Sequence, residues 1–310
     1  MIPGVRVAYQ AISRRAFGAL VAGLCVLNPM RSLSASAERL DLDTDAGLLA
    51  AVLKMRASTD GSIRFGWLEA SRSAYIDGKI IPLYDVLAGS VLRGKPTGPA
   101  AYSVDTLEVT YYLNQDTGEL LDRLPMPLTG RVVDVPLYRS GPKAVPVARW
   151  HQMQEMTSGS AGVTDDSGGR ANQSAFAPAG RVDLDRSAGP YRLDGKHCWI
   201  RTSEYGRVKP TDVTAPEQFY NEAAIWRGHL DELLDPTTTV VSATLSYAAS
   251  TSWRPWMHMG DVRGHTMSNG FGRKVLRLDD MPARWLALTA KHHPDIIESP
   301  ENALKPTVSG

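Results

Sequence analysis

Alternation of apolar and polar residues with a period of two is the dominant pattern along this chain. In residues 107–113, "LEVTYYL", the odd positions are Leu, Val, Tyr and Leu, whereas the even positions are Glu, Thr and Tyr. This pattern predicts a half-buried β-strand. The polar stretch "NQDTGE" follows at once, and its Gly118 suits a turn that needs a positive φ. We therefore expect "LLDRL" to begin a returning strand.

The same period recurs in four further segments, each bounded by Gly, Pro or Asp. They are "GKIIPLYDVLAGSVLRG", "GRVVDVPLY", "KHCWIRTSEYGRV" and "TTTVVSATLSYAAS". Short strands joined by tight turns are typical of antiparallel β architecture. The pattern predicts a mainly β protein, either an antiparallel β-barrel or a sandwich, with a lipocalin-like barrel among the alternatives and a few peripheral α-helices.

Three segments have apolar residues at helical spacing instead. "DAGLLAAVLKMR", residues 45–56, has an acid at its start and bases at its end, which favours a helix there. Residues 215–236 carry Phe219, Ala223, Trp226 and Leu230 at helical spacing, with a proline beyond. Residues 279–295 predict a third, short helix. Residues 297–310 are expected to form an extended tail.

The first 37 residues have the layout of an export signal. They carry four arginines and no acid, around an apolar run too short to cross a bilayer, which takes about 20 residues. "SRRAF", with Arg14 and Arg15 ahead of Phe17, is the twin-arginine arrangement read by the Tat translocase. We expect cleavage after "ASA", transient contact with that translocase, and release into the periplasm without a stable membrane anchor.

Charge and cysteine content agree with that compartment. The formal net charge is +1, and losing four arginines leaves a mature chain that is neutral to slightly acidic. No basic stripe for nucleic acid is present. Only Cys198 remains after cleavage, so no intramolecular disulfide can form.

The mature chain, residues 38–310, is expected to form one mainly β domain. Its hydrophobic content of 43% can fill a large core. Residues 156–180 are poor in large apolar groups and rich in Gly, Ser and Ala, so we predict a flexible insertion loop there.

Three phrases taken together resemble a known bacterial family. They are "YYLNQDTGELLDRLPMPLTG", "ATLSYAASTSWRPWMHMG" and "GFGRKVLRLDDMPARW". The family is catalogued as domain of unknown function 1838, and the resemblance extends over about residues 45–300. It implies a shared domain plan, in which two turns containing Thr-Gly, at residues 116–119 and 129–130, separate structural elements. It implies no activity and no catalytic residue.

The segment "SWRPWMHMGDVRGH", residues 252–265, concentrates aromatic, titratable and thioether side chains between glycines. In one interpretation its tryptophans form the walls of a pocket for a flat or apolar ligand, and an arginine holds an anionic group. The predicted ligand-binding residues are Trp253, Arg254, Trp256, Met257, Tyr112 and Arg273. In the competing interpretation the tryptophans plug the end of the β unit and Arg254 pairs with a carboxylate.

Proton transfer in such a pocket is assigned to His258, Asp261 and Glu108. Glu108 enters because it lies on an alternating strand, where an inward-facing polar residue would line an interior.

A metal-dependent enzyme is an alternative, with His258 and His265 as ligands. Their spacing matches no established ligand signature. Motifs for serine hydrolysis, nucleotide phosphates, dinucleotides and zinc are absent from the sequence, and no cofactor is predicted. The hypothesis is therefore a protein that binds a small, partly apolar organic molecule and converts it by cofactor-free acid/base chemistry of hydrolase, lyase or isomerase type. A non-catalytic binding or interaction module is the other alternative.

Overall fold

A computed structural model describes residues 39–98, 101–148, 181–183, 191–208 and 218–305. The predicted signal segment and the predicted insertion loop lie outside the described residues. Within them, no helix is both long enough and apolar enough to cross a membrane.

Strands make up most of the described chain, as the alternation predicts. The first six are β1 (Ile63–Ile76), β2 (Lys79–Gly98), β3 (Ala101–Leu113), β4 (Arg123–Pro125), β5 (Val132–Asp134) and β6 (Tyr138–Ala148). The next six are β7 (Arg181–Asp183), β8 (Tyr191–Asp194), β9 (His197–Val208), β10 (Gln218–His229), β11 (Ala243–Thr251) and β12 (His265–Val275).

Ten of these strands form one antiparallel sheet in the order β6, β3, β2, β1, β12, β11, β10, β9, β7, with β8 also pairing with β9. The remaining two, β4 and β5, pair with each other. The prediction of a mainly antiparallel β protein is therefore confirmed. Among the described strands the edges β6 and β7 do not pair with each other, so the sheet does not close into a barrel by hydrogen bonds.

Helix α1 (Asp45–Arg56) has the bounds that the sequence predicts. Thr44 caps it, because its hydroxyl accepts a hydrogen bond from the Gly47 amide at 3.0 Å. The helix is buried on all sides from Gly47 to Met55, rather than on one face. It packs against inward-facing residues of the sheet, including Leu92 and Ile200, and so fills one end of the space that the sheet surrounds.

The outer face of β2 and β3 is covered by three short helices, α3 (Ala283–His292), α4 (Pro294–Glu298) and α5 (Pro300–Ala303). Trp285 of α3 is fully buried and lies directly over Gly89, where a Cβ would come within 2.2 Å of its ring. The third helix is thus confirmed. The prediction of an extended tail from residue 297 is wrong as far as Ala303. Helix α4 continues to Glu298, and α5 spans Pro300–Ala303.

The predicted helix over residues 215–236 is wrong. Among the described residues of that range, 218–229 form β10 and only α2 (Leu230–Leu234) is helical. The reason is tertiary, because β10 pairs along its whole length with β9 on one side and over most of its length with β11 on the other. Those two ladders satisfy its backbone groups and override the helical spacing of its apolar residues.

The turn at residues 114–119 is confirmed, with Gly118 at φ 71°. The return beyond it is shorter than predicted. Leu120 makes an isolated bridge to Leu113, and the chain then enters β4, away from the large sheet.

Candidate functional site

The inner face of the sheet borders a cavity of about 340 Å³. Alternate residues of successive strands form its wall, as expected where one face of a sheet borders a single space. The contributing strands run from β6 at one edge to β9 next to the other edge, so the sheet curls around the cavity. Small-molecule sites usually occupy about 300–1,000 Å³, and this cavity lies at the lower end of that range.

The wall combines apolar and polar surface. Leu68, Ala70, Val86 and Ala88 supply an apolar area on β1 and β2. Charged and hydroxyl-bearing side chains occupy much of the rest. They include Arg56, Arg72, Glu108, Tyr112, Tyr138, Lys143, Tyr220, Glu222, Tyr247, Arg254 and Ser268. Basic side chains outnumber acidic ones, which favours an anionic occupant.

Three of the phenols in this group are held in their protonated form. Burial raises the pKa of Tyr138, and the Glu108 carboxylate raises it further. Burial likewise raises the pKa of Tyr112, and that of Tyr247, where Glu222 acts in the same direction. At neutral pH these hydroxyls can therefore donate hydrogen bonds into the cavity.

Arg254 enters the cavity from the chain that follows β11. It lies deep in the molecule yet keeps part of its surface on the cavity wall. Burial lowers the pKa of its guanidinium, but Tyr112, Tyr138, Tyr84 and Glu222 more than offset that, and the pKa is raised overall. The guanidinium is thus a permanent positive charge beside three phenols and a carboxylate.

Arg72 is the second arginine on the wall, and it is 5% exposed. It lies on β1 where the pairing with β2 shifts register between Arg72 and Ser73. Its Nη1 donates to the hydroxyls of Thr251 at 3.4 Å and Thr266 at 3.2 Å. A positive charge is thus held inside the sheet mainly by neutral groups.

The segment 252–265 closes the end of the interior opposite α1. Trp253 is buried and donates from its indole Nε1 to the Val262 carbonyl at 3.0 Å. Trp256 packs on Tyr84 and Tyr112, with ring centroids 6.0 and 5.6 Å away. Met257 is fully buried. The segment is not extended, because residues 255–257 form a 3-10 turn that ends with His258 in the left-handed region at φ 50°.

That turn separates the residues that the sequence places in one site. Glu108, Tyr112 and Arg254 line the cavity. His258 and Asp261 are exposed and do not. Arg273 borders the cavity only as part of the β12 strand, since it is exposed, alternates with buried neighbours and lies near Asp280 on the outer face.

The two histidines of the metal alternative lie in different surroundings. His258 is exposed, whereas His265 is half-buried, with its ring 5.2 Å from that of Tyr75 and 6.0 Å from that of Phe219. Burial lowers the pKa of His265. Among the described residues no group of three or more His, Cys, Asp or Glu side chains is placed to hold a metal ion.

Several groups on the wall were not predicted from the sequence, above all Arg72, Tyr138, Glu222 and Tyr247. A signal for Arg72 existed. Residues 68, 70, 72 and 74 are Leu, Ala, Arg and Ala, so a single charge interrupts a row of apolar residues on one face of a strand. Glu222 and Tyr247 were hidden by the helical interpretation of residues 215–236 and by the absence of any local clue to the curl of the sheet.

The C-terminal third of the chain matches the model of a known protein family. Residues 211–309 match the family model described as "Protein of unknown function (DUF1838)". The resemblance seen in the sequence is confirmed over that range. The DUF1838 match includes β10, β11, β12 and the C-terminal helices, and thus Glu222, Tyr247 and Arg254 but neither Arg72 nor Glu108.

No curated protein matches the chain. Among solved structures, a DUF1329 family protein from Desulfovibrio piger ATCC 29098 is similar to it at 9% identity, over 76% of this chain and 93% of that chain, with a TM-score of 0.18. A likeness at that score bears on neither fold nor function.

Proposed function

We propose that the protein binds a small, partly apolar organic molecule in the cavity inside the curled sheet. The observation that carries this proposal is the composition of the wall, in which an apolar area on β1 and β2 lies beside arginines, carboxylates and protonated phenols. Ligand pockets typically combine apolar surface with a few polar groups that fix orientation.

The alternative is that the cavity is a packing defect. Protein interiors are close-packed, and voids larger than a water molecule are few. Charged groups such as Arg72 and Glu108 would also be costly to bury around an empty space without a compensating partner. A polar-lined cavity therefore fits a binding site better than a defect.

The binding proposal predicts a bound molecule that a cavity-filling substitution removes. Ala224 faces the cavity, whereas its neighbour Ala223 has the opposite parity on β10. We expect native mass spectrometry of the full chain to show an organic molecule that Ala224→Phe loses and Ala223→Phe keeps. Equal retention in both variants would place the molecule elsewhere and refute the proposal.

A second candidate is conversion of the bound molecule by cofactor-free acid/base chemistry. It is favoured by two pairings of a carboxylate with a protonated phenol, Glu108 with Tyr138 and Glu222 with Tyr247. Each pair offers a proton acceptor beside a proton donor. Once a ligand is identified, Glu222→Gln should abolish turnover while retaining most of the binding. Unchanged turnover would leave the protein as a binding module.

We further propose that the protein works in the periplasm after Tat export, on the strength of the "SRRAF" signal. Replacing Arg14 and Arg15 together by lysine should retain the protein in the cytoplasm. Fractionation of a Tat-competent host, followed by immunoblotting, would measure this. Unchanged export would contradict the assignment.

A further inference from the structure

Arg72 is a buried charge whose partners do not compensate it. Its guanidinium donates to the Thr251 and Thr266 hydroxyls, which are also hydrogen-bonded to each other at 2.8 Å, and it also interacts with the neutral Tyr84 hydroxyl. Its Nε makes no hydrogen bond. Within the described part of the chain, no carboxylate is within ion-pair distance of Arg72.

Three phenols also lie near Arg72. Tyr84 is fully buried beside it, and Tyr112 and Tyr247 are its further electrostatic neighbours. All three are protonated at neutral pH and carry no charge. An arginine that is buried without an anion is strongly unfavourable, so the position calls for an anion from outside the described chain.

Arg72 also has access to a place where that anion could bind, because it lines the cavity. A guanidinium presents its donors in a planar fork that matches the oxygens of a carboxylate or a phosphate. Leu68 and Ala70, on the same face of β1, border the cavity alongside it.

From this arrangement we infer that the ligand is an organic anion whose carboxylate or phosphate group is bound by Arg72, with its apolar part against Leu68 and Ala70. The inference rests on the proposed binding function and adds the chemical class of the ligand. Arg254, which already has Glu222 among its neighbours, supports the positive potential of the site.

Benzoate and benzamide are matched probes, since they differ in charge and hardly in shape. We expect isothermal titration calorimetry with the full chain to show benzoate binding at least about tenfold more tightly than benzamide, as charge-assisted hydrogen bonds imply. Phenyl phosphate, used as a third probe, tells whether the site prefers a phosphate or a carboxylate. Tighter binding of phenyl phosphate assigns a phosphate ester, and tighter binding of benzoate assigns a carboxylate.

Arg72→Met should abolish the preference for benzoate over benzamide, while Arg273→Met, on the outer face of β12, should leave it unchanged. Arg72→Lys keeps the charge without the fork and should retain a weakened preference. A preference that survives in Arg72→Met would overturn the inference.

Thermal unfolding distinguishes ligand binding from a structural role. If Arg72 serves a ligand, removing its uncompensated charge should raise the melting temperature of the ligand-free protein, because function here opposes stability. A lowered melting temperature, or failure of Arg72→Met to fold, would show that the arginine supports the fold and would overturn the inference.

The inference and the proposed function fail differently. If benzoate and benzamide bind equally and both are lost in Ala224→Phe, the inference of an anionic ligand is wrong but the proposed binding site stands. If neither probe binds and no molecule co-purifies with the wild-type chain, both are wrong.

Discussion

The two ends of the space inside the sheet give a buried basic side chain different hydrogen-bond partners. At the α1 end, Lys274 is 1% exposed and its ammonium donates to the backbone carbonyls of Lys54 and Ala57, at the C-terminus of the helix. At the opposite end, Arg72 has hydroxyls as its partners and faces the cavity.

The difference distinguishes a basic side chain that serves the fold, Lys274, from one that in our proposal binds a ligand, Arg72. Carbonyls at a helix C-terminus carry partial negative charge and have no partner within the helix, so a lysine there completes the fold. Lys54 is arranged in the same way at the end of α2, where its Nζ donates to the carbonyls of Leu233 and Asp235 at 3.0 and 2.7 Å. Neutral hydroxyls do not offset a full charge, and in our proposal the anionic ligand supplies the missing partner at the Arg72 end.

The largest loss of stability should follow from disturbing the packing around α1. Leu49 is fully buried in the cluster that joins the helix to the sheet. Leu49→Ala should lower the free energy of unfolding by about 2–5 kcal/mol, measured by urea denaturation. Tyr247→Phe, on the cavity wall, should lower it by about 1 kcal/mol or less. Comparable losses would show that both ends are equally structural.

The next effect concerns pH. Burial lowers the pKa of Lys274 to about 7, and Arg64 nearby acts in the same direction. Above pH 7 the unfolded chain therefore holds a proton that the folded chain has released, so stability rises with pH until the ordinary lysine pKa is reached. We expect a gain of about 2 kcal/mol between pH 7 and pH 9, since each pKa unit corresponds to about 1.4 kcal/mol.

Urea denaturation at the two pH values would measure that gain. The carboxylates are ionised throughout this window, and the raised tyrosine pKa values act above it, so the rise belongs to the buried lysines. Lys274→Met should remove most of it. A stability that stays flat in the wild-type protein would contradict the lowered pKa.

The smallest effect should come from the residue next to Lys274. Arg273 alternates to the outer face of β12 and is exposed. Arg273→Met should change the free energy of unfolding by no more than about 0.5 kcal/mol at either pH, measured by the same denaturation. If Arg273→Met removed the rise in stability between pH 7 and pH 9 as Lys274→Met is expected to do, that rise would not depend on burial against the helix end.

Local patterns were enough to predict the elements whose signals are local. The bounds of α1 follow from a capping threonine, an acidic first turn and basic residues in the last turn. Alternation located β2, β3, β9 and β11. It failed for β10, where Phe219, Ala223 and Trp226 have helical spacing and so fit a helix equally well. There the pairing with β9 and β11 decided the outcome.

The site was less predictable, because it depends on which faces of distant strands share one space. Parity placed Glu108 and Tyr112 on the same face of β3, but it could not tell whether that face borders an interior. The exposure of His258 could not be read in the same way, since a left-handed residue after a 3-10 turn breaks the alternation that an extended segment would have. Arg72 stood out in its row, but its significance appears only once Thr251 and Thr266 lie beside it.

The pairing of β1 with β12 has a consequence for biosynthesis. It joins two meanders, one made early in translation and one made late, and Arg72 and Thr266, 194 positions apart, meet across it. A ribosome-bound chain that ends before β12 holds every residue of the first meander but no enclosed cavity. Under the proposed function, a chain would therefore bind its ligand only after β12 has been synthesised and has paired with β1.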